Sequence, residues 1–123
     1  MLESDASIEG HKWTLPDRAK RDNQVLLIVD VAKVDTAWKK DIGYIGPGGD
    51  NGIKGRYERF QQWLVQNPDV AIECPEIGYN EEIGRISFTN GRHRFAVLRD
   101  MGVKHLGVAV TKNQAKIFMK LFK

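Results

Sequence analysis

The segment Ile86-Ser-Phe-Thr-Asn-Gly-Arg-His-Arg-Phe-Ala-Val-Leu-Arg-Asp-Met-Gly102 constrains this chain most, because its periodicity changes midway. Ile86 and Phe88 alternate with Arg85 and Ser87, the pattern of a strand with one buried face. Asn90-Gly91 is a tight turn. Arg92 to Met101 then predicts a helix, closed by Gly102 as its C-terminal cap. A helix start leaves backbone N–H groups unpaired and carries partial positive charge. Arg92, His93 and Arg94 add two guanidiniums and an imidazole to it, and phosphate is the natural ligand of such a point.

Each residue of the turn has a candidate role. Asn90 is the expected helix cap, and Gly91 would let backbone amides approach a ligand. Arg92 and Arg94 alternate in direction, so one is expected to face the ligand while the other pairs elsewhere. His93 titrates near neutrality and reads either as a general base or as a hydrogen-bond partner of the phosphate. The plainer alternative is a solvated helix start with surface arginines.

The rest of the chain reads as a mixed α/β pattern. Residues 1–22 lack periodicity and suggest an arm or linker, with Trp13 and Leu15 as anchors, ahead of a domain over 23–123. Val25-Leu-Leu-Ile-Val-Asp-Val31 predicts a buried strand. A short helix or turn follows over Ala32–Lys40, with Val34, Ala37 and Trp38 on one face. Gly43 to Gly55 holds six glycines and one proline, so it must be a loop, long enough to be functional. Arg56 to Gln66 is an amphipathic helix with Tyr57, Phe60 and Leu64 on its apolar side and Trp63 beside them. Strands are expected over Ala71–Tyr79, Arg85–Thr89 and Leu106–Val110. A last helix over Asn113–Phe122 would turn Ile117, Phe118, Leu121 and Phe122 inward. The fold class is therefore a single small mixed α+β domain, a sheet covered by helices.

Composition narrows the partners. The 123 residues include 19 Lys and Arg against 16 Asp and Glu, a formal charge of +3. That mild excess suits nucleic acid without demanding it. The one cysteine, Cys74, excludes an internal disulfide and a multi-cysteine metal site, and before Pro75 it reads as a small buried residue. No apolar run approaches the roughly 18–20 residues that span a bilayer, and the polar start is not a signal peptide. A cytoplasmic location without membrane insertion is the expectation.

From Val25 to Lys112 the order of elements resembles the ParB/sulfiredoxin superfamily. An early Val-rich strand is followed by a helix and by a strand carrying Cys74-Pro75-Glu-Ile. Next come Arg85-Ile-Ser-Phe-Thr-Asn-Gly-Arg-His-Arg, a helix ending in Met101-Gly102, and a closing Val108-Ala-Val110 strand. Gly55-Arg-Tyr-Glu-Arg-Phe-Gln-Gln-Trp-Leu64, together with the Asn90–Arg94 turn, is similar to the plasmid fertility-inhibition and ParB-like nuclease branch. The resemblance implies a pocket for nucleotide or nucleic-acid phosphate at that turn. Members of the superfamily use the pocket for ATP or CTP hydrolysis, phosphorylation, nuclease activity or sulfinic-acid repair. Sulfiredoxins place a cysteine directly after the turn glycine. Arg92 stands there, so that chemistry is not expected. Partition ParB proteins carry further DNA-binding and dimerisation domains, and nothing in this chain suggests them.

Three functions stay open. The first is hydrolysis of a phosphoester bond, as a nuclease or NTPase, with Arg92 and Arg94 stabilising phosphate charge and His93 moving the proton. Lys54, Arg56 and Tyr57 would close over the ligand from the glycine-rich segment, which is not a P-loop because Gly-x-x-x-x-Gly-Lys-Ser/Thr is absent. Mg²⁺ or another divalent metal is expected, but its ligands are unknown, since the spacing of Asp50, Glu76, Glu81 and Glu82 selects none. The second is a toxin or effector domain neutralised by an immunity protein, or its relative, a factor acting on the conjugation machinery. The third is a non-enzymatic module for a protein or nucleic acid. Lys112, Lys116, Lys120 and Lys123 form a basic stripe that reads as a nucleic-acid track or, more plainly, as a solvated helix face.

Overall fold

The two longest apolar runs of the chain pair with each other. A computed structural model describes residues 2, 3, 5–8 and 11–123, with side chains from His11 onward except that of Arg21. Its described strands are β1 (Leu2–Glu3), β2 (Asp5–Ile8), β3 (His11–Thr14), β4 (Gln24–Asp30), β5 (Ile72–Glu73), β6 (Glu76–Asn80), β7 (Arg85–Asn90) and β8 (His105–Thr111). The helices are α1 (Asp17–Arg21), α2 (Val31–Trp38), α3 (Arg56–Gln66), α4 (Arg92–Asp100) and α5 (Ala115–Leu121), with 3-10 turns at Pro47–Gly49 and Lys112–Gln114.

β4 and β8 are antiparallel over their full length, from Gln24 opposite Thr111 to Asp30 opposite His105. Leu26, Leu27, Leu106, Val108, Ala109 and Val110 are buried there, as branched apolar runs must be when both faces of a strand are covered. Around this pair lies a mixed five-stranded sheet in the order β1-β4-β8-β6-β7. A second sheet, β2-β3-β5, joins β3 in parallel to β5. The domain is thus small, mixed α+β, and built on two sheets among the described residues.

The expected single strand over Ala71–Tyr79 is two strands in different sheets. The break falls at Cys74-Pro75, where Pro75 has no N–H to continue a ladder. Cys74 still donates its N–H to the Thr14 carbonyl (2.9 Å), while the Pro75 carbonyl accepts the Ala109 N–H (2.8 Å). These two residues therefore hand the chain from one sheet to the other, directly ahead of β6, the antiparallel partner of the strand that leads to the Asn90–Arg94 turn.

Residues 11–21, expected to be a loose lead-in, form β3 and α1. Trp13 and Ala19 are fully buried and Leu15 nearly so. An ideal Cβ on Gly107 would stand 2.7 Å from the Trp13 Cβ, so only glycine lets β8 pass beneath the indole. A four-residue strand is too short to show periodicity, which is why this part was illegible. Leu121, expected to face inward, is 38% exposed, while Ala115, Phe118 and Phe122 are buried and Ile117 packs against the core.

α2 follows β4 through a side-chain cap: the Asp30 carboxylate accepts the Lys33 N–H at 2.9 Å. Its buried Trp38 packs against Phe88 of β7 and Phe95 of α4, at 4.5 and 5.5 Å between ring centroids. That aromatic cluster seats β7 and α4, the two elements that meet at the basic turn. α3 packs against α4.

Candidate functional site

Two helices begin in the same unusual way. α3 starts from Gly55 at φ 86° and α4 from Gly91 at φ 84°, each without a side-chain cap. Left-handed backbone of this kind favours glycine. Asn90 is therefore not the cap it was expected to be. Its side chain instead holds the buried Glu76 carboxylate, which Arg18 (2.6 Å) and Gln24 (3.2 Å) also bind. Burial alone would raise the Glu76 pKa. The bonds from Arg18, Asn90 and Gln24 outweigh it and bring the carboxyl below its ordinary value, so Glu76 stays ionised as part of the scaffold.

Between the first turns of α3 and α4 and the end of β7 lies a cleft of about 550 Å³. Arg56 and Arg59 of α3 line one side, and Arg92, His93 and Arg94 line the other. Both arginines of the turn thus line the cleft, whereas only one was expected to face the ligand. Among the described residues no carboxylate lines the cleft. Arg92 Nη1 donates to the Gly43 carbonyl at 2.9 Å, and Arg94 Nε to the Glu73 carbonyl at 3.2 Å. Among the described residues the buried Arg94 Nη2 has no hydrogen-bond partner. It lies over Gly91, where an added Cβ would meet Arg94 Nη2 at 2.7 Å and the Pro75 Cα at 2.9 Å. Gly91 thus makes room for the guanidinium as well as for the turn.

His93 is only 8% exposed. Its Nε2 accepts the Ile53 N–H at 2.9 Å, which fixes the neutral tautomer with the proton on Nδ1. Burial, then Arg92, then Arg56 push its pKa below the ordinary value. Gly52 packs on the ring: an added Cβ would stand 3.0 Å from the Gly49 carbonyl oxygen and 3.2 Å from the imidazole, a tight fit.

α4 holds the glycine-rich segment along its length. Besides the Ile53 and Gly43 bonds, Arg99 Nη1 donates to the Ile45 carbonyl (2.6 Å) and to Asp35 (3.0 Å). Asp100 Oδ2 accepts from the Gly48 N–H (3.0 Å) and from the Tyr57 hydroxyl (2.7 Å). Burial works to raise the Asp100 pKa, but Arg99, Tyr57 and the Gly48 amide lower it on balance. Tyr57 is pushed up to about 12, by burial first and then by its bond to Asp100. It is a buried strut for the segment and does not line the cleft, contrary to expectation. Lys54 is exposed on the segment and also stands outside the cleft wall.

Arg59 was not singled out from the sequence, and Phe60 and Trp63 were read only as the apolar side of α3, which does pack against the core. All three line the cleft. The two rings lie nearly parallel, 11° between planes and 5.7 Å between centroids. Spacing held the signal: 56, 59, 60 and 63 are separated by three, four and seven residues and so share one helix face.

A divalent metal does not fit this donor set. Among the described residues no three His, Cys, Asp or Glu side chains come together. Of the four carboxylates considered, Glu76 is bound by Arg18, Glu81 and Glu82 line a separate groove beside Lys116 and Lys120, and Asp50 is exposed outside the cleft wall. The four arginines that line the cleft repel a cation that arrives alone. Among the described residues no helix is long and apolar enough to cross a membrane.

No family model and no curated protein matches the sequence. Among solved structures, the chain is similar to that of the oncogenic suppression activity protein, a plasmid fertility inhibition factor, determined as a gold(I) cyanide derivative. The TM-score is 0.66 at 12% identity, covering 99% of this chain and 74% of that one. At this identity the likeness is one of fold: the chain is a distant structural relative of a plasmid fertility inhibition factor.

Proposed function

We propose that the cleft binds the phosphate of a nucleotide or nucleic acid. The observation that carries this reading is the convergence of Arg56, Arg59, Arg92 and Arg94 on one cavity that, among the described residues, no carboxylate lines. Surface arginines ordinarily find carboxylates. A cluster without them retains its charge for an anion, and guanidinium geometry suits phosphate. The resemblance of the Asn90–Arg94 turn to the ParB/sulfiredoxin pocket supports the same ligand class.

Binding is the core of the proposal, and turnover a separate step. Hydrolysis of a phosphoester needs a group to take a proton from water. His93 is the imidazole at the cleft, and its Nε2 is committed to Ile53. A nuclease or NTPase reading therefore requires the Gly43–Gly55 segment to leave α4 first. The arginines would stabilise phosphate charge in either case.

Titration calorimetry with ATP, CTP and a short DNA, with and without Mg²⁺, tests the reading. Affinity should fall steeply with salt, and Arg59→Ala and Arg92→Ala should each weaken it. Absence of binding by all three ligands would overturn it. Product release that follows binding would add the hydrolase activity.

The fold shared with a plasmid fertility inhibition factor favours interference with DNA transfer as the biological setting. Expression in a plasmid donor should then lower transfer frequency at normal growth. Growth arrest relieved by a partner protein would point to a toxin instead.

A further inference from the structure

Building on the phosphate reading, we infer that the ligand is a single-stranded nucleic acid whose bases stack on Phe60 and Trp63. Among the described residues the side chains of Arg56 and Arg59 make no hydrogen bond or ion pair. Both sit on the helix face that carries the two parallel rings. Charge and aromatic surface thus alternate along one line, Arg56, Arg59, Phe60, Trp63. At 1.5 Å of rise per residue that line runs about 10 Å, longer than one phosphate group needs. The chemistry matches a strand in which every repeat carries a phosphate and a π-face.

A duplex does not fit the same surface. Its bases are stacked on one another and offer only their edges, whereas aromatic platforms act on bases whose faces are free. Edge readers are also scarce. Thr89 and Asn90 supply the neutral polar side chains of the wall, and Asn90 is engaged with Glu76. Stacking and guanidinium contacts tolerate any base, so binding is expected to depend little on sequence.

The test is fluorescence anisotropy on the full chain. The probes are labelled oligothymidylate and oligouridylate, a duplex of equal length, ATP and inorganic phosphate. Single strands should bind on the order of tenfold more tightly than duplex, with Trp63→Ala removing about that factor and Trp63→Phe restoring most of it. Arg59→Ala should reduce the salt slope by about one, while Trp63→Ala leaves the slope unchanged. The relative affinity of the thymidylate and uridylate strands distinguishes DNA from RNA. Duplex binding equal to or tighter than single strands overturns the inference. So does single-strand affinity unchanged in Trp63→Ala. If ATP or phosphate still binds and Arg59→Ala weakens it, the phosphate reading survives that loss. If no probe binds, both fall. Arg59 is exposed, so its variant keeps the test decisive should Trp63→Ala fold poorly.

Discussion

The Nε2 of His93 accepts the backbone N–H of Ile53 at 2.9 Å, so a residue at the start of α4 fastens the far end of a glycine-rich segment forty positions earlier in the chain. Arg92, Arg99 and Asp100 secure the same segment at Gly43, Ile45 and Gly48. The basic turn is therefore also a clasp.

His93→Ala should lower stability by about 1–3 kcal/mol, since it removes a buried hydrogen-bond acceptor. Urea unfolding measures the loss. Amide exchange should speed up at Ile53 ahead of the strands, because release of the segment is local.

The same histidine sets a pH dependence. Its pKa is lower in the folded protein than its ordinary value, with burial first and Arg92 and Arg56 next as causes. The unfolded chain therefore binds the proton more readily, and stability rises with pH across the window between the two values. The His93 contribution should be complete above about pH 6.5 and decline as pH falls through the folded-state pKa. His93→Gln, which can still accept from Ile53 but cannot titrate, should flatten that part of a plot of urea midpoint against pH.

Gly91→Ala should destabilise by about 1–3 kcal/mol. It forces a side chain into left-handed backbone, and its Cβ would stand 2.9 Å from the Pro75 Cα and 2.7 Å from Arg94 Nη2. The guanidinium can swing away but the backbone cannot. Thermal unfolding should register the loss, and displacement of Arg94 should weaken phosphate binding beside it.

Tyr57→Phe separates scaffold from site. It deletes the hydroxyl that donates to Asp100 at 2.7 Å, which should cost about 1 kcal/mol. Ligand affinity should be almost unchanged, because Tyr57 does not line the cleft. A large loss of affinity at normal stability would return Tyr57 to the binding residues.

Long or strongly patterned segments were legible in the sequence. The Arg56–Gln66 helix, the Val25 strand and the strand-turn-helix through Gly91 stand where periodicity put them. What escaped reading depends on contacts between distant segments. β3 pairs with β2 over four residues and with β5 over two, and nothing in His11–Thr14 announces the distant partner. Cys74-Pro75 separates two sheets only once both exist. At the site, Arg92, His93 and Arg94 were legible as a cluster, but the commitment of His93 to Ile53 was not. Tyr57 and Phe60 look alike as apolar helix positions, and only the packing of α3 on α4 buries the first and leaves the second at the cleft.

The pairing of Trp13 with Gly107 bears on how the protein is made. A ribosome delivers the indole and the β4 strand well before β8, so the nascent chain carries an apolar edge without this partner until His105–Thr111 is made. Such late, distant pairing slows folding and invites misassociation. Soluble yield should therefore depend on how quickly His105–Thr111 emerges, and on holding chaperones until it does.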